Sequence, residues 1–314
     1  MSPSRALAES LPCLAFHHGA GRTTVIFDVS EKKPIAGYID ELENKQICPA
    51  THGFMLARCP ASMSTFLWTP QSCGKIELPP LPIEQDLFID CTCLLSNKPT
   101  APNSVVLLVE PYATFIWYCH IRDDQWQKHD YDIGTQPALD LQSEDKEVIT
   151  PIAACGGKFY FNSTQIELGV LEFCPAPVFS SIEINDVVDD IYGVELAPAQ
   201  VFLVESDGEL YMVSLLWAET IYGARVHRMD FSKQRWRKVY DLGDRAFLLS
   251  LFNSGALCSV GESGLRENCI YMAYPWEQTL HIFSVKDGSM ETHKLDDAPS
   301  SDKAFWVLPA NHID

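Results

Sequence analysis

Short apolar and aromatic runs alternate with turn-forming residues along almost the whole chain. Runs rich in Val, Ile, Phe, Tyr and Trp that are bounded by Gly, Pro, Asn, Asp or Ser are typical of β-strands. Such runs occupy residues 24–30, 104–109, 114–119, 157–161, 209–213 and 269–274. The chain also contains 20 prolines, which interrupt helices. The pattern therefore predicts an all-β protein, with short helices only near residues 81–87 and 187–191.

Several predicted strands are joined by turns that glycine makes possible. Three pairs of turn residues lie next to apolar runs: Asp207-Gly208, Asp287-Gly288 and Gly156-Gly157. A two-residue hairpin of type I′ needs positive φ at both central residues, which Asp-Gly and Gly-Gly pairs tolerate. The segments on either side of these pairs are therefore predicted to form antiparallel hairpins.

The predicted strands recur in groups. Residues 116–126 and 226–236 each combine a strand, a polar turn and a tryptophan, and looser copies lie at 66–76 and 282–290. The period is roughly 45 to 50 residues, in the range of β-propeller blades. The groups cover residues 12–40, 46–80, 88–133, 148–185, 200–242 and 246–296. The sequence therefore predicts a single β-propeller with six blades, and seven blades remain open.

One strand is left over at the C-terminus. It covers residues 304–308, whereas the first group has one strand too few. Pairing of this C-terminal strand with the first blade would close the ring and cover an exposed sheet edge. Because no change in composition marks a second domain, we expect a propeller over residues 12–310. Residues 1–11 and 311–314 are then short tails.

Composition and charge narrow the possible functions. The chain has 46% hydrophobic and 21% charged residues, as in globular proteins, and its formal net charge is 23 − 42 = −19. An acidic chain repels the phosphates of nucleic acids and of anionic lipids. Neither nucleic acid nor a membrane is therefore an expected partner. A basic protein would be attracted, although solubility alone also explains the charge.

The cysteines and the N-terminus indicate where the protein resides. None of the 11 cysteines forms a CxxC pair, and most adjoin apolar residues, so we predict reduced, buried thiols. The N-terminus lacks the apolar core of a signal peptide, and no apolar run reaches the ~18 residues of a membrane span. The cytoplasm or the nucleus is the expected location, in preference to an organelle.

The sequence contains none of the common motifs of catalysis or cofactor binding. GxGxxG, P-loop, HExxH and GxSxG patterns do not occur. His52 is interpreted as a structural hydrogen-bonding residue, and Asp186, Asp189 and Asp190 as a solvated loop. We therefore predict no catalytic residue, no cofactor and no metal site.

Aromatic side chains in loops are the first candidates for binding a partner. Tyr112, Tyr222 and Trp276 fall in predicted loops between central strands, and such loops often open on one rim of a propeller. Interfaces favour Trp, Tyr and Arg as anchors. Packing in the core is the alternative role for each of the three.

A basic stretch within this acidic chain is the second candidate. It includes Arg225, Arg228, Arg235 and Arg237, which are expected to lie on one exposed blade edge. Charged residues often protect such an edge against aggregation. The alternative role is a docking patch for acidic segments of a partner.

Several short sequence motifs occur in an order that resembles one protein family. They lie at residues 51–54, 68–70, 76–81, 202–210, 225–231, 236–239, 242–246 and 268–271. The most specific are Leu-Gly-Asp-Arg from Leu242 and Asn-Cys-Ile-Tyr from Asn268. The chain resembles the plant F-box-associated β-propeller family, a kelch-like domain, over about residues 12–310. The best-known members of that family are F-box proteins that inhibit brassinosteroid-pathway kinases.

The resemblance implies a non-catalytic propeller that binds another protein, in the way that F-box relatives select substrates for ubiquitination. A protein kinase or another signalling protein is the client that it suggests. Family members often carry an F-box before the propeller, and residues 1–11 are too few for that helical module. A Skp-type adaptor is therefore not an expected partner, and a binding, inhibitory or scaffold module is expected instead.

Two alternatives remain open. The first is a propeller enzyme or small-molecule binder that uses the central channel. The second is a ubiquitin-ligase subunit that recruits the adaptor by another surface.

Overall fold

A computed structural model of the protein describes residues 11–18, 23–31, 33–35, 42–71, 74–137, 144–162, 166–185, 197–217, 221–250, 255–261, 263–274, 276–299, 301 and 303–308. Of the expected tails at 1–11 and 311–314, all residues except Leu11 lie outside the described residues, as do the expected helix at 187–191 and the loop with Asp186, Asp189 and Asp190.

The described chain forms six sheets arranged as the blades of a propeller. Blade 1 contains β1 (Cys13–His18), β2 (Thr23–Asp28), β3 (Lys33–Pro34) and the C-terminal strand β27 (Lys303–Val307). Blade 2 contains β4 (Gln46–Pro49), β5 (Met55–Arg58), β6 (Thr65–Trp68) and β7 (Lys75–Leu78). Blade 3 contains β8 (Thr92–Leu95), β9 (Val105–Val109), β10 (Phe115–His120) and β11 (Gln127–Asp130).

The second half of the ring follows after a small hairpin of β12 (Thr135–Pro137) and β13 (Glu144–Lys146). Blade 4 contains β14 (Ile152–Cys155), β15 (Lys158–Asn162), β16 (Glu167–Phe173) and β17 (Pro177–Glu183). Blade 5 contains β18 (Ala197–Ser206), β19 (Glu209–Trp217), β20 (Ile221–Asp230) and β21 (Arg235–Val239). Blade 6 contains β22 (Arg245–Ser250), β23 (Ala256–Ser259), β24 (Cys269–Tyr274), β25 (Thr279–Ser284) and β26 (Met290–Lys294).

The six predicted groups coincide with these six blades, so the predicted all-β propeller is confirmed. Helix α1 (Gln85–Asp90) joins blades 2 and 3, slightly later than the predicted segment 81–87. No helix in the described part of the chain is long and apolar enough to cross a membrane. The ten described cysteines are free thiols, and seven of them are buried.

Blade 6 differs from the predicted pattern because it has five strands. β22 pairs in parallel with β24 and antiparallel with β23, so β22 is inserted between them. Gly255 permits this close packing, since a Cβ there would lie only 2.3 Å from Leu249 Cδ2 and 3.0 Å from Val204 Cγ2. The apolar pattern identified these strands without indicating their order.

Two of the three predicted hairpin turns have the expected geometry. Asp207 and Gly208 both have positive φ, of 53° and 75°, and Gly156 and Gly157 do as well. In the third turn only Gly288 is left-handed, and its N–H donates to Ser284 O at 3.0 Å. The type I′ prediction was therefore wrong for the third turn.

The hydrophobic core is divided among the gaps between the blades. Six clusters of buried side chains each join one blade to the next around the ring. The first and last blades, for example, meet through Phe16, Phe27, Tyr271 and Trp306. No blade therefore buries its apolar faces by itself.

The C-terminal strand closes the ring, as the sequence predicted. β27 runs antiparallel to β1, with Leu14 opposite Trp306 and Phe16 opposite Ala304. The Trp306 indole N–H donates to Leu249 O of blade 6 at 2.9 Å. Phe305 is fully buried on the other face, in the cluster shared with blade 2. One strand thus contacts both neighbouring blades.

We expect Phe305→Ala to lower the free energy of unfolding by about 3–5 kcal/mol, because it leaves a cavity at the closure. The matched control is Phe231→Ala, which truncates a partly exposed ring that packs on Tyr160. Its cost should not exceed about 1.5 kcal/mol. Urea unfolding followed by tryptophan fluorescence measures both, and equal losses would contradict the closure role.

Candidate partner-binding surface

Closure of the ring determines where each loop emerges. Neighbouring innermost strands are joined near the C-terminal ends of β4, β8 and β18: Thr51 Oγ1 accepts the Leu95 N–H at 2.9 Å, and Ser206 Oγ donates to Leu257 O within β23 at 3.3 Å. These strands therefore run in the same direction, and the loops between the middle strands of the blades emerge at the opposite end. We call that end the aromatic rim. Its described residues are 42–45, 59–64, 79–91, 110–114, 131–137, 144–151, 166, 221–222, 276–278 and 295–299.

Exposed apolar side chains are concentrated on the aromatic rim. Ten large hydrophobic residues are exposed in the described part of the chain. Six belong to the aromatic rim: Met63, Leu87, Tyr112, Ile166, Tyr222 and Trp276. The other four are spread over outer strands and other turns: Val178, Phe231, Tyr240 and Met290. The three aromatic residues selected from the sequence thus lie at the same end of the molecule.

Tyr112 projects from a loop that hydrogen bonds hold on both sides. Its own N–H donates to Glu110 Oε2 at 3.1 Å, and the Thr150 hydroxyl donates to Pro111 O at 3.3 Å. The Tyr131 hydroxyl donates to Ala113 O at 3.0 Å. Although its backbone is fixed in this way, the Tyr112 side chain is 80% exposed. It is therefore presented to solvent from a well-supported loop.

Trp276 lies in the turn between β24 and β25. Gln278 fixes this turn, because its carbonyl accepts the Leu295 N–H at 2.7 Å and its side-chain amide donates to Ala298 O. The Trp276 side chain is 50% exposed. The turn is thus attached to the connection that leads from blade 6 to the closing strand.

Tyr222 is placed differently from the prediction. It is the second residue of β20, although the sequence indicated a loop. Its neighbour Ile221 is buried and pairs with Trp217 of β19. The Tyr222 side chain itself is exposed at the aromatic rim.

The four candidate arginines lie on blade 5 and not on the aromatic rim. Arg228 and Arg237 are opposite each other on the outer strands β20 and β21, and Arg235 shares their face. Arg225 points to the other face, because it is three residues from Arg228 in the strand. The expected single edge therefore holds three of the four.

Carboxylates compensate the charges on this face. Arg228 Nη1 lies 3.0 Å from Glu209 Oε2, and Arg237 pairs with Asp230. The Glu209 hydrogen bond raises the pKa of Arg228, while the Ser232 hydroxyl and then Arg237 lower the pKa of Asp230. The sequence did not indicate this compensation, because it depends on cross-strand register.

A small pocket of about 70 Å³ lies in the central channel at the end opposite the aromatic rim. Its lining includes His52, Glu205, Ala256 and Cys258. The backbone of His52 is left-handed, with φ 59°. Burial lowers the pKa of its imidazole, and the positive charge of Lys98 lowers it further. Burial raises the pKa of Glu205, whose carboxylate accepts the Gly208 N–H at 2.8 Å.

A wider groove of about 690 Å³ lies between blades 3 and 4, also away from the aromatic rim. Its lining includes Asn103, His120, Phe173 and Cys174. His120 Nδ1 lies 3.3 Å from Asp123 Oδ2. Among the residues that the structure describes, no three His, Cys, Asp or Glu side chains converge as metal ligands.

Cys59 is the one described thiol on the aromatic rim whose pKa falls within the physiological range. Hydrogen bonds from the Ser62 hydroxyl and from the Ser62 and Ala61 N–H groups lower its pKa to about 7. Burial instead raises the pKa of Cys13, Cys119, Cys155 and Cys258. Cys59 is therefore the expected reactive thiol of this surface.

These features define a six-bladed β-propeller with an aromatic surface at one end. A family model, the KIB1-4 beta-propeller, matches residues 26–298. The chain belongs to this family, and the resemblance to the brassinosteroid-kinase-inhibiting family is confirmed. No curated protein matches the chain in sequence.

Similar solved structures are distant. Virginiamycin B lyase from Staphylococcus aureus is 10% identical, with 96% of this chain and 93% of that chain covered and a TM-score of 0.38. The Swd1 β-propeller domain from Myceliophteria thermophila is 11% identical, with coverage of 90% and 93% and a TM-score of 0.39. TolB from Acinetobacter baumannii is 10% identical, with coverage of 95% and 66% and a TM-score of 0.44.

We expect iodoacetamide to label Cys59 at a rate that rises through pH about 7, because the thiolate is the nucleophile and the pKa of Cys59 is lowered to about 7. Peptide mass spectrometry across a pH series measures this rate. Cys59→Ser should abolish the labelling, whereas Cys174→Ser, which removes an exposed thiol elsewhere, should leave it unchanged. Labelling of Cys59 that rises only above pH about 8.5, the range of ordinary thiols, would contradict the prediction.

Proposed function

We propose that this chain is a non-catalytic protein-interaction propeller that binds a partner protein through the aromatic rim. The observation that carries the proposal is the concentration of six of the ten exposed large hydrophobic residues at one end of the molecule. Single exposed apolar residues are common on protein surfaces, whereas larger apolar patches mark interaction sites. Membership of the KIB1-4 beta-propeller family supports a role in binding proteins.

The partner is a protein kinase or another signalling protein in the cytoplasm or the nucleus. This part of the proposal rests on the likeness to the F-box-associated propellers, which is an analogy at the level of the family. The propeller holds its client as a binding, inhibitory or scaffold module. Neither nucleic acid nor a membrane surface is a partner, since the net charge of −19 opposes both.

The pocket beside His52 and Glu205 in the channel is small for an organic substrate. Sites for organic ligands usually enclose about 300–1,000 Å³. This pocket offers about 70 Å³. An organic substrate would therefore have little room among its titratable groups, which supports a protein partner over a substrate in the channel.

Affinity capture from plant cells with the tagged full chain tests the proposal. We expect the double variant Tyr112→Ala/Trp276→Ala to lose the captured partner, because truncation of an aromatic anchor costs about 2 kcal/mol or more. The matched control is Tyr240→Ala/Val178→Ala, which removes exposed apolar side chains outside the aromatic rim. This control should retain the partner, and partner recovery is quantified by mass spectrometry.

Equal recovery with both double variants would overturn the aromatic rim as the binding surface. Recovery of a Skp-type adaptor and a cullin would instead support the ligase-subunit alternative. A footprint gives independent evidence, because a partner on the aromatic rim should slow iodoacetamide labelling of Cys59 and leave Cys174 unaffected. Unchanged labelling of Cys59 in the purified complex would place the partner elsewhere.

A further inference from the structure

We infer that the aromatic rim recognises a segment rich in lysine and arginine on its partner, an inference that rests on the proposed binding function. The sequence alone leaves the charge of the partner open, since a net charge of −19 also serves solubility. The folded structure adds information, because it shows where the carboxylates lie and which of them form ion pairs. On the aromatic rim, exposed carboxylates lie in the same loops and connections as the exposed aromatic rings, and they outnumber the described basic residues.

Three carboxylates lie in the same turn as Trp276 or in the connection bonded to that turn. Glu277 follows Trp276 in the same turn, and Asp296 and Asp297 lie in the connection that hydrogen-bonds to this turn through Gln278 and Leu295. All three acidic side chains are exposed. The exposed indole and the three negative charges therefore face solvent together at the end of blade 6.

Tyr112 stands in a second acidic environment. Glu110 is two residues away and is buried, and its carboxylate fixes the Tyr112 N–H. Burial raises the pKa of Glu110, and the nearby negative charge of Asp90 raises it further. Asp90 itself is exposed at the end of helix α1. This aromatic ring therefore also lies close to carboxylates.

The aromatic rim as a whole has an excess of negative charge. Its exposed carboxylates are Glu43, Glu84, Asp90, Asp132, Asp145, Glu277, Asp296 and Asp297. The basic residues in the described part of the rim are Lys45, which is partly buried, and Lys146, which pairs with Asp132. The potential over this end of the molecule is therefore negative, and it attracts cations.

Several carboxylates away from the aromatic rim pair with basic residues. In the described structure, arginine pairs lie on outer strands or at the opposite end: Arg228 with Glu209, Arg237 with Asp230, Arg245 with Asp207 and Arg266 with Glu291. Lys158 pairs with Glu172 on blade 4 in the same way. These pairs reduce the local negative charge on the outer strands and at the opposite end.

This combination matches the chemistry of a basic peptide segment. Ammonium and guanidinium groups are attracted to the faces of Trp and Tyr rings and form ion pairs with carboxylates beside them. Acidic segments and phosphate groups would be repelled by the same surface. A lysine- and arginine-rich segment is therefore the occupant that both the rings and the charges favour.

Fluorescence anisotropy with a labelled peptide tests the inference on the full chain. The probe is fluorescein-labelled Lys-Ser-Arg-Gly repeated three times, and the comparison peptide carries Glu in place of each Lys and Arg. We expect the basic peptide to bind and to lose affinity between about 50 and about 200 mM salt, while the acidic peptide does not bind.

Two charge-matched variants locate the binding site. Glu277→Gln/Asp296→Asn/Asp297→Asn should weaken binding of the basic peptide about tenfold, since three exposed pairings are lost. The control Glu31→Gln/Asp124→Asn/Glu267→Gln removes three exposed carboxylates at the opposite end and changes the net charge equally. Its affinity should stay within about twofold of the unmodified chain. Equal weakening by both variants, or no binding at all, would overturn the inference.

The outcome is separable from that of the proposed function. Partner capture that depends on Tyr112 and Trp276, combined with a basic peptide that does not bind, would leave the proposed function standing and reject the basic segment. Peptide binding that is unaffected by Tyr112→Ala/Trp276→Ala would reject recognition by the aromatic rings. Loss of binding in both the aromatic and the acidic variants supports the inference.

Discussion

The antiparallel pairing of β27 with β1 is the contact on which the rest of the structure depends. Each hydrophobic cluster lies between two blades, so a blade can bury its apolar residues only while its neighbours are in place. The last strand must therefore return to the first blade. It does so with Trp306 bonded to blade 6 and Phe305 buried against blade 2. Ring closure thus supports all six interfaces at once.

Closure also explains how distant residues form one surface. Once the innermost strands run in the same direction, loops of the same type emerge at the same end of every blade. Tyr112 of blade 3, Tyr222 of blade 5 and Trp276 of blade 6 consequently share a rim, although they are far apart in the sequence. The scaffold is held by its core, while the chemistry of the rim depends on short loops that the core constrains.

The sequence revealed more of the fold than of the site. Strands, blade groups and closure follow from alternating runs and turn residues, which are local features. The insertion of β22 beside β24 was missed because strand order depends on packing around Gly255. The pairing of Arg228 and Arg237 with carboxylates was missed because it requires cross-strand register. Met63 and Ile166 are single apolar residues in polar turns, which no sequence pattern distinguishes from core positions.

The net charge of −19 does not say where on the surface the negative charges lie. A total charge describes repulsion between whole molecules, whereas recognition depends on which charges remain uncompensated at a surface. Ion pairs such as Arg228–Glu209 and Arg266–Glu291 cancel much of the local field on the outer strands. Asp296 and Asp297 are exposed in the connection that a backbone hydrogen bond holds against the turn of Trp276. If the inferred basic segment binds here, the fixed geometry that exposes the indole would also place these carboxylates where they can pair with its cations.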